Sequence, residues 1–392
     1  MTERLQAREV LPEDADALLV GRIHDPVAGG ASLVLVDGDR LIDITDLGPT
    51  ASVLFSRADL AGMLREARNE TDRAGWDLAD ALDFDPLAPA DDALRLLAPI
   101  DLQVVKAAGV TFVESMLERV IEERAGGDSS RAKSIREQLV ETIGGAISSI
   151  VPGSPEAEGV KAVLQAEGLW SQYLEVGIGP DPEIFTKAPV LSAVGTGQAI
   201  GVHAASSWNN PEPEVVLVVR ADGIAVGATL GNDVNLRDFE GRSALLLTEA
   251  KDNNASCAIG PFVRVFDDTF DMDAVRSLDV RLKVEGPDGF VLDGFSSMRN
   301  ISRDPESLIR HAWGDHHQYP DGFVLFTGTL FAPTRDRRAP GAGFTHELGD
   351  RVSISNPRLG ALVNTVAQSQ TAPRWSTGIW DFFANLRERE LL

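Results

Sequence analysis

The sequence contains a single cysteine, Cys257, so no disulfide can form within the chain. A chain without disulfides is typical of a reducing compartment, and we therefore expect a cytoplasmic protein. Long apolar runs are lacking as well, since no stretch approaches the roughly 18 apolar residues of a membrane-spanning helix. The first residues, MTERLQAREVLPED, lack the apolar core of a secretory signal. We therefore expect neither a membrane-embedded nor an exported protein.

Basic residues are scarce relative to acidic ones, with 36 Lys and Arg against 60 Asp and Glu and a formal net charge of −24. Nucleic acids and anionic membranes both require basic patches, so this balance argues against either partner. The sequence also lacks a Gly-x-Ser-x-Gly motif, and Gly195, Gly197 and Gly201 do not have the spacing of a dinucleotide-binding loop. A small molecule is the expected partner.

The pattern of predicted elements indicates a mixed, β-rich α+β fold. Residues 1–94 are predicted to form a small N-terminal α+β domain, followed by a larger catalytic domain over residues 95–392. Within the larger domain we expect a helical insert at about 119–170 and a C-terminal amphipathic helix at about 378–391.

The insert interrupts a region that is otherwise rich in predicted strands, and it is longer than an ordinary connection. Its longer helices are predicted at 129–152 and 155–168. Three interpretations stay open: a lid over a site, an oligomer contact, or helical packing without a further function.

The strongest local pattern lies between residues 208 and 260. Two apolar runs, 215–219 and 224–230, flank the pair Asp222-Gly223. Asp-Gly between apolar runs predicts a hairpin, here with Asp222 and Gly223 as a two-residue loop.

Three carboxylates converge at the open end of this predicted hairpin. In the predicted register, Glu214 faces Gly231 and Glu212 faces Asp233, and residues two apart share one face of a strand. Facing like charges destabilise a sheet unless a cation lies between them. An all-oxygen set suits magnesium, manganese or calcium better than zinc. The alternative is that the two glutamates are solvated and that Asp233 is a turn residue.

Other polar residues are placed by the same kind of pattern. Glu183 and Lys187 lie four residues apart on a short predicted strand and therefore share a face. Thr327-Gly328-Thr329 interrupts an apolar strand with small residues, which allows a ligand to approach the backbone. From spacing alone, Lys251 is explained as a lysine at the C-terminal end of a helix.

These motifs resemble the fumarylacetoacetate hydrolase family over about residues 95–370. The resemblance is carried by Glu212-Pro213-Glu214, by LGNDVNLRD at 230–238, by Thr327-Gly328-Thr329 and by Gly349-Asp350. It implies a β-roll of mixed sheets and a Mg²⁺ site, with Mn²⁺ as the alternative. The metal ligands would be Glu212, Glu214 and Asp233, and Lys251 would be the active-site lysine.

A narrower resemblance, nearly over the full length, is to the dehydratases of 2-keto-3-deoxy pentonates within this family. The segments that carry it are 105–112, 169–187, 208–216, 231–247, 250–262 and 317–322. It implies elimination of water from 2-keto-3-deoxy-D-xylonate or -arabinonate to give 2-oxoglutarate semialdehyde, in a homodimer or homotetramer.

The implied mechanism assigns a function to each remaining candidate. Lys251 is the first candidate for the base that removes a C3 proton, and Glu183 would protonate the departing C4 hydroxyl. If Lys251 only anchors charge, Glu183 takes the base function. Thr329, Lys187 and Asn232 are expected to bind the substrate.

One position departs from the hydrolases of the family. They typically carry a histidine and a glutamate that activate water for C–C cleavage, and Ser115 stands here at the histidine's place while Glu118 remains. Hydrolysis is therefore in doubt, whereas elimination of water needs no such base. The alternative function is a metal-dependent hydrolase or decarboxylase of an acylpyruvate or a 2,4-diketo acid.

Overall fold

The computed structural model describes residues 5–139, 150–340 and 343–392. Its strands are β1 (Leu19–Asp25), β2 (Gly30–Asp37), β3 (Arg40–Asp43), β4 (Gly75–Asp77), β5 (Arg95–Leu97), β6 (Val104–Gly109), β7 (Glu183–Ala188), β8 (Ala199–Val202), β9 (Asn209–Asn210), β10 (Pro213–Val219), β11 (Ala225–Asp233), β12 (Asn235–Leu236), β13 (Cys257–Val265), β14 (Asp279–Glu285), β15 (Val291–Ser297), β16 (Phe323–Phe326), β17 (Arg351–Asn356) and β18 (Gly360–Gln368).

The described α-helices are mostly short. They are α1 (Ala7–Val10), α2 (Ala51–Phe55), α3 (Leu60–Asn69), α4 (Leu78–Ala81), α5 (Val113–Ala125), α6 (Ser129–Leu139), α7 (Pro155–Ala166), α8 (Gln172–Ile178), α9 (Arg237–Glu240), α10 (Leu247–Lys251), α11 (Met272–Val275), α12 (Pro305–Ala312) and α13 (Ile379–Glu388). The predicted mixed, β-rich fold is confirmed.

The strands form two main sheets. The larger has the strand order β4-β3-β2-β1-β13-β11-β10-β16-β6-β7, with β5 paired to β1, and the smaller has the order β15-β14-β17-β18-β8. The central strand β10 is buried along its whole length. Alternate side chains of β10 enter different cores: Leu217 belongs to the core that contains Leu282 and Ile354, and Val216 belongs to the core that contains Leu54. A strand buried on both faces reads as a continuous apolar run, as β10 does.

The larger sheet runs across the predicted domain boundary at residue 94. Strand β1 pairs antiparallel with β13, so that Leu19 faces Arg264. Strands from residues 1–94 therefore extend the same sheet that carries the candidate site. The division of the chain into two domains stays a prediction.

Four helices, α5 to α8, follow β6, and we call them the helical insert. They share a core that includes Met116, Val120, Leu164 and Leu174. The predicted helix at 155–168 corresponds to α7, whereas residues 140–149 of the helix predicted at 129–152 lie outside the described residues. The C-terminal helix predicted at about 378–391 corresponds to α13.

The loop of the central hairpin differs from its prediction. The Arg220 N–H donates to the Ile224 carbonyl at 2.9 Å, so the loop has three residues and not two. Gly223 supplies the left-handed conformation that this loop requires, with φ of +80°. Val226 is then an extra residue in β11, because the pairing shifts between Val218 and Val219. This bulge offsets the longer loop and restores the predicted register towards the open end of the hairpin.

Candidate active site

The three carboxylates meet at the open end of the β10–β11 hairpin. Glu214 pairs with Gly231 as predicted, and the Asp233 N–H donates to the Glu212 carbonyl at 3.1 Å. Carboxylate oxygens of Glu212, Glu214 and Asp233 lie within 4.8 Å of one another, and all three residues are buried. The predicted convergence is confirmed, and a set of three convergent oxygen donors has the chemistry that Mg²⁺ prefers.

Two lysines approach the triad. The Lys251 ammonium, at the end of α10, lies 2.5 Å from Oε2 of Glu212 and 3.0 Å from Oδ2 of Asp233. The Lys187 ammonium lies 2.9 Å from the other oxygen, Oδ1, of Asp233. Burial opposes the charge of Lys251, but the carboxylates of Asp233 and Glu212 outweigh it and raise the lysine's pKa. Lys251 is therefore close enough to act at the triad, as predicted.

Glu214 is held by neutral donors. The Gly328 N–H donates to its Oε2 at 2.7 Å, and the Thr329 hydroxyl donates to its Oε1 at 3.2 Å. Burial, together with the neighbouring charges of Asp233 and Glu212, raises the pKa of Glu214 well above its usual range. This side of the triad is where a cation would relieve the strongest repulsion.

The charges of the site match a divalent cation. Five acids and three bases form or adjoin the triad, so in their ordinary ionised forms they leave two negative charges. They are the acids Glu183, Glu212, Glu214, Asp233 and Glu240 and the bases Arg119, Lys187 and Lys251. Burial is the largest cause that raises the pKa of Glu183 and brings that of Glu240 to about 7, so both acids lie where their negative charge is disfavoured. The residues present therefore fit Mg²⁺.

A pocket of about 20 Å³ opens beside the triad. Its lining includes the predicted residues Glu183, Thr329 and Lys251, together with two of the carboxylates of the triad. The lack of a side chain at Gly109 makes room for Glu183, because a Cβ there would lie 1.9 Å from its Oε2. The structure thus brings the proton-transfer candidates and the triad to one place.

Lys187 does not line this pocket, and its binding of substrate stays a prediction. It lies beneath the triad, fully buried, and its ammonium contacts Asp233 and the Lys251 carbonyl. The reason is a bulge in β7: Lys106 pairs with Thr186 and Val105 pairs with Ala188, so Lys187 is the extra residue. A bulge turns a side chain away from the face that simple alternation predicts.

Asn232 likewise lies outside the pocket lining. It precedes Asp233 on β11, so its side chain faces the other side of the strand. Its Oδ1 accepts a hydrogen bond from the Glu212 N–H at 3.1 Å. Asn232 thus fixes the backbone of Glu212, and its binding of substrate stays a prediction.

Two charged pocket residues were not identified from the sequence: Arg119 on α5 and Glu240 on α9. Ser115, which the sequence singled out at the histidine position, also lines the pocket. Arg119 contacts Glu212 directly and also pairs with Glu240 at 3.3 Å. The spacing of the residues gave one indication that Arg119 is buried, since it lies among the apolar positions of an amphipathic helix. Its partner Glu212 is 93 positions away, so the sequence could not identify the contact.

Comparison with known proteins then gives a family match over part of the chain. Residues 176–367 match the family described as fumarylacetoacetate (FAA) hydrolase C-terminal. The chain carries a fumarylacetoacetate hydrolase family domain. The triad, Lys251 at its edge and Glu183 all lie within the matched residues, as the sequence resemblance implied.

Two relatives have dehydratase names. A "Probable 2-keto-3-deoxyxylonate dehydratase" of Haloferax volcanii is 28% identical over 324 residues, which cover 82% of this chain and 91% of that protein. A "2-dehydro-3-deoxy-D-arabinonate dehydratase" of Saccharolobus solfataricus is 34% identical over 185 residues, or 47% of this chain and 58% of that protein.

Solved structures of the family share the fold. A 2-keto-3-deoxy-D-arabinonate dehydratase complexed with magnesium and 2,5-dioxopentanoate aligns with a TM-score of 0.61 and 24% identity, over 90% of this chain and 99% of that one. A 2-hydroxyhepta-2,4-diene-1,7-dioate isomerase from Mycobacterium marinum aligns with a TM-score of 0.52 and 20% identity over the same shares. The predicted fumarylacetoacetate-hydrolase-like fold is confirmed.

The pair that family hydrolases use on water is not assembled here. Ser115 stands at the histidine position, and its hydroxyl donates to the Phe112 carbonyl at 3.0 Å. Glu118 remains, but its two oxygens accept from Arg136 at 2.8 Å and from Arg237 at 2.6 Å. Arginine partners on both oxygens make Glu118 a poor base, because they stabilise its ionised form.

Proposed function

We propose that this protein is a metal-dependent dehydratase, a carbon–oxygen lyase that removes water from 2-keto-3-deoxy-D-xylonate and yields 2-oxoglutarate semialdehyde. The same compound is also named 2-keto-3-deoxy-D-arabinonate, because C4 is its one stereocentre. The observation that carries the proposal is that Glu183 and Lys251 line one buried pocket beside the carboxylate triad. The dehydratase names of both relatives support the same reaction class.

Glu212, Glu214 and Asp233 would hold Mg²⁺. When bound there, the metal supplies Lewis-acid stabilisation of negative charge on the 2-keto oxygen, worth several kcal/mol in such reactions. The neutral donors of Gly328 and Thr329 orient Glu214, and Lys187 orients Asp233 from beneath. Fixed ligand orientation of this kind sustains metal affinity.

Proton transfer falls to the pocket residues. The C3–H bond breaks, the C4–O bond breaks with addition of a proton to the hydroxyl, and a C3=C4 double bond and water form. Two proton shifts then convert the resulting enone to the C5 aldehyde. Because two carboxylates keep Lys251 charged, we propose that Lys251 anchors negative charge and that Glu183 takes the C3 proton and delivers one to the C4 hydroxyl.

To test the reaction, purified protein and Mg²⁺ are mixed with 2-keto-3-deoxy-D-xylonate and, separately, with its C4 epimer. EDTA-treated protein is the control, and the products are identified by mass spectrometry. Loss of one water, abolished by EDTA and restored by Mg²⁺, is the expected result. Release of two fragments or of CO₂ from an acylpyruvate or a 2,4-diketo acid, with no dehydration, would point instead to the hydrolase or decarboxylase alternative.

Several expectations from the sequence stay predictions: the cytoplasmic location, the homodimer or homotetramer, and activity with Mn²⁺. Among the residues that the structure describes, no helix combines the length and apolar character needed to cross a bilayer.

A further inference from the structure

A continuous series of ion pairs leads from the helical insert to the metal ligands. Basic and acidic side chains alternate along it, and most of them are buried. In order, the series is Arg136, Glu118, Arg237, Glu122, Arg119 and Glu212.

The outer half of the series joins the insert to α9. Arg136 of α6 lies 2.8 Å from Glu118 of α5, and Arg237 of α9 lies 2.6 Å from the other oxygen of Glu118. Arg237 also lies 2.5 Å from Glu122, and its guanidinium stacks 4.6 Å from the ring centroid of Trp208. Two insert helices are thereby joined to the first residue of α9, which lies four positions after Asp233 in the chain.

The inner half reaches the metal centre through one side chain. Arg119 of α5 lies 2.6 Å from Glu122, and its second terminal nitrogen contacts Oε1 of Glu212. Lys251 holds the other oxygen, Oε2, of the same carboxylate. Arg119 therefore fixes one side of Glu212, and it is the point at which the insert touches the triad.

We propose that Arg119 is a positioning residue that orients Glu212 for metal binding and couples the helical insert to the metal centre. Groups that hydrogen-bond a metal-ligating carboxylate fix its direction, and their loss typically weakens metal binding. Coupling between two sites is reciprocal. Metal at the triad must therefore stabilise the insert in the position that contacts Glu212, to the same extent that this position favours metal binding.

The size of the pocket gives this coupling a consequence. A cavity of about 20 Å³ holds about one water molecule, so its lining must move to admit a five-carbon acid. Ser115 and Arg119 bring α5 into that lining. Helix α5 is therefore the described part of the insert whose movement would open the pocket, and Arg119 ties its position to Glu212.

The inference rests on the proposed function only in taking Glu212 as a metal ligand, so its test uses Mg²⁺ alone. Isothermal titration of Mg²⁺ into EDTA-stripped, dialysed protein should show a dissociation constant about 10- to 100-fold higher for Arg119→Gln than for the native chain. Arg136→Gln, at the partly exposed end of the series, should raise it by at least about twofold without altering the pocket.

Arg264→Gln is the matched control. Arg264 is as buried as Arg119 and pairs with Asp14 and with the Arg358 carbonyl, outside the series. Its replacement should leave the dissociation constant for Mg²⁺ within about threefold, since sites without shared partners act independently. An equal loss in both variants would mean general destabilisation and would overturn the inference.

Hydrogen exchange supplies the second measurement. Mg²⁺ should slow amide exchange in α5 and α6 of the native protein, and this protection should vanish in Arg119→Gln. Two results would show that Arg119 does not position Glu212. One is unchanged or tighter Mg²⁺ binding by Arg119→Gln, and the other is slowing of amide exchange by Mg²⁺ that persists in this variant. If the native protein shows the coupling but removes no water from either pentonate, only the proposed function fails; if it binds no Mg²⁺, both fail.

Discussion

The backbone N–H of Gly328 donates a hydrogen bond of 2.7 Å to Oε2 of Glu214. Gly328 has a φ of +105°, and a Cβ at this position would lie 1.8 Å from the Thr111 hydroxyl oxygen. Gly328→Ala should therefore move the N–H away from Glu214. We expect weaker Mg²⁺ binding and a loss of stability of about 1–3 kcal/mol, measured by titration calorimetry and thermal unfolding.

Gly289→Ala separates backbone strain from the loss of this contact. Gly289 also has a positive φ, +81°, but a Cβ there would meet nothing within 4 Å. This variant should lose stability and keep the Mg²⁺ affinity of the native protein. Equal Mg²⁺ affinities in the two glycine variants would contradict a metal-site function for Gly328.

Glu214→Gln should separate stability from metal binding. Burial and the charges of Asp233 and Glu212 raise the pKa of Glu214, so the native chain keeps an unfavourable carboxyl at neutral pH when metal is withheld. The glutamine retains an oxygen for the Gly328 N–H and carries no charge. In EDTA at pH 7 we expect a higher free energy of unfolding for the variant. The gap between pH 7 and the ordinary pKa of 4.5 limits this gain to about 3 kcal/mol, however far the pKa is raised.

Addition of Mg²⁺ should reverse the order of stability of these two proteins. A ligand at about 1,000 times its dissociation constant stabilises by about 4.1 kcal/mol, and only the native chain would gain that. Urea denaturation with and without Mg²⁺ measures both effects. Two results are incompatible with Glu214 as a metal ligand. One is a glutamine variant that is less stable than the native chain in EDTA, and the other is a variant that Mg²⁺ stabilises as strongly as it stabilises the native chain.

The triad could be predicted because its parts are close in sequence and lie on one hairpin. Alternation along β10 and β11 determines which side chains share a face, so Glu212, Glu214 and Asp233 followed from the pairing alone. The predicted loop was one residue too short, yet the bulge at Val226 compensated. Local pattern is sufficient here because one strand pairing determines the positions of all three carboxylates.

Alternation failed where the backbone is irregular. The bulge in β7 redirects Lys187 from the pocket to Asp233, and no composition pattern in EIFTKA marks it. Arg119 was missed for another reason: its contact with Glu212 depends on how α5 packs over the hairpin, which is tertiary structure. Charged residues on a helix are ordinarily solvated, so sequence alone favours the wrong environment for it.

Lys251→Ala and Glu183→Gln should discriminate between the two proton-transfer assignments. If Glu183 transfers the proton, Glu183→Gln lowers kcat by about 10²- to 10⁴-fold with Mg²⁺ affinity unchanged. Lys251→Ala then lowers turnover as well, but solvent deuterium exchange at C3 of the substrate persists in it. Exchange that persists in Glu183→Gln and vanishes in Lys251→Ala would make Lys251 the base. Turnover of Lys251→Ala within about tenfold of native would remove Lys251 from catalysis altogether.

Glu240 should make the metal-free protein less stable as pH rises. Burial is the largest influence on this carboxyl and outweighs the attraction of Arg119, which brings its pKa to about 7 from an ordinary value of 4.5. Between these two values the folded chain holds a proton that the unfolded chain releases, so stability is lost as pH rises through the window. The loss from this one group is at most about 3 kcal/mol.

The variant Glu240→Gln keeps the size of the side chain and removes its titration. In EDTA, urea denaturation from pH 4.5 to 8 should give free energies of unfolding that fall more steeply for the native chain than for Glu240→Gln, with the gap widening up to about pH 7 and constant above it. Glu388→Gln, on the exposed face of α13, is the control and should follow the native curve. A gap between native and Glu240→Gln that is the same at every pH would show that Glu240 acts only through packing, because titration alone makes the difference depend on pH.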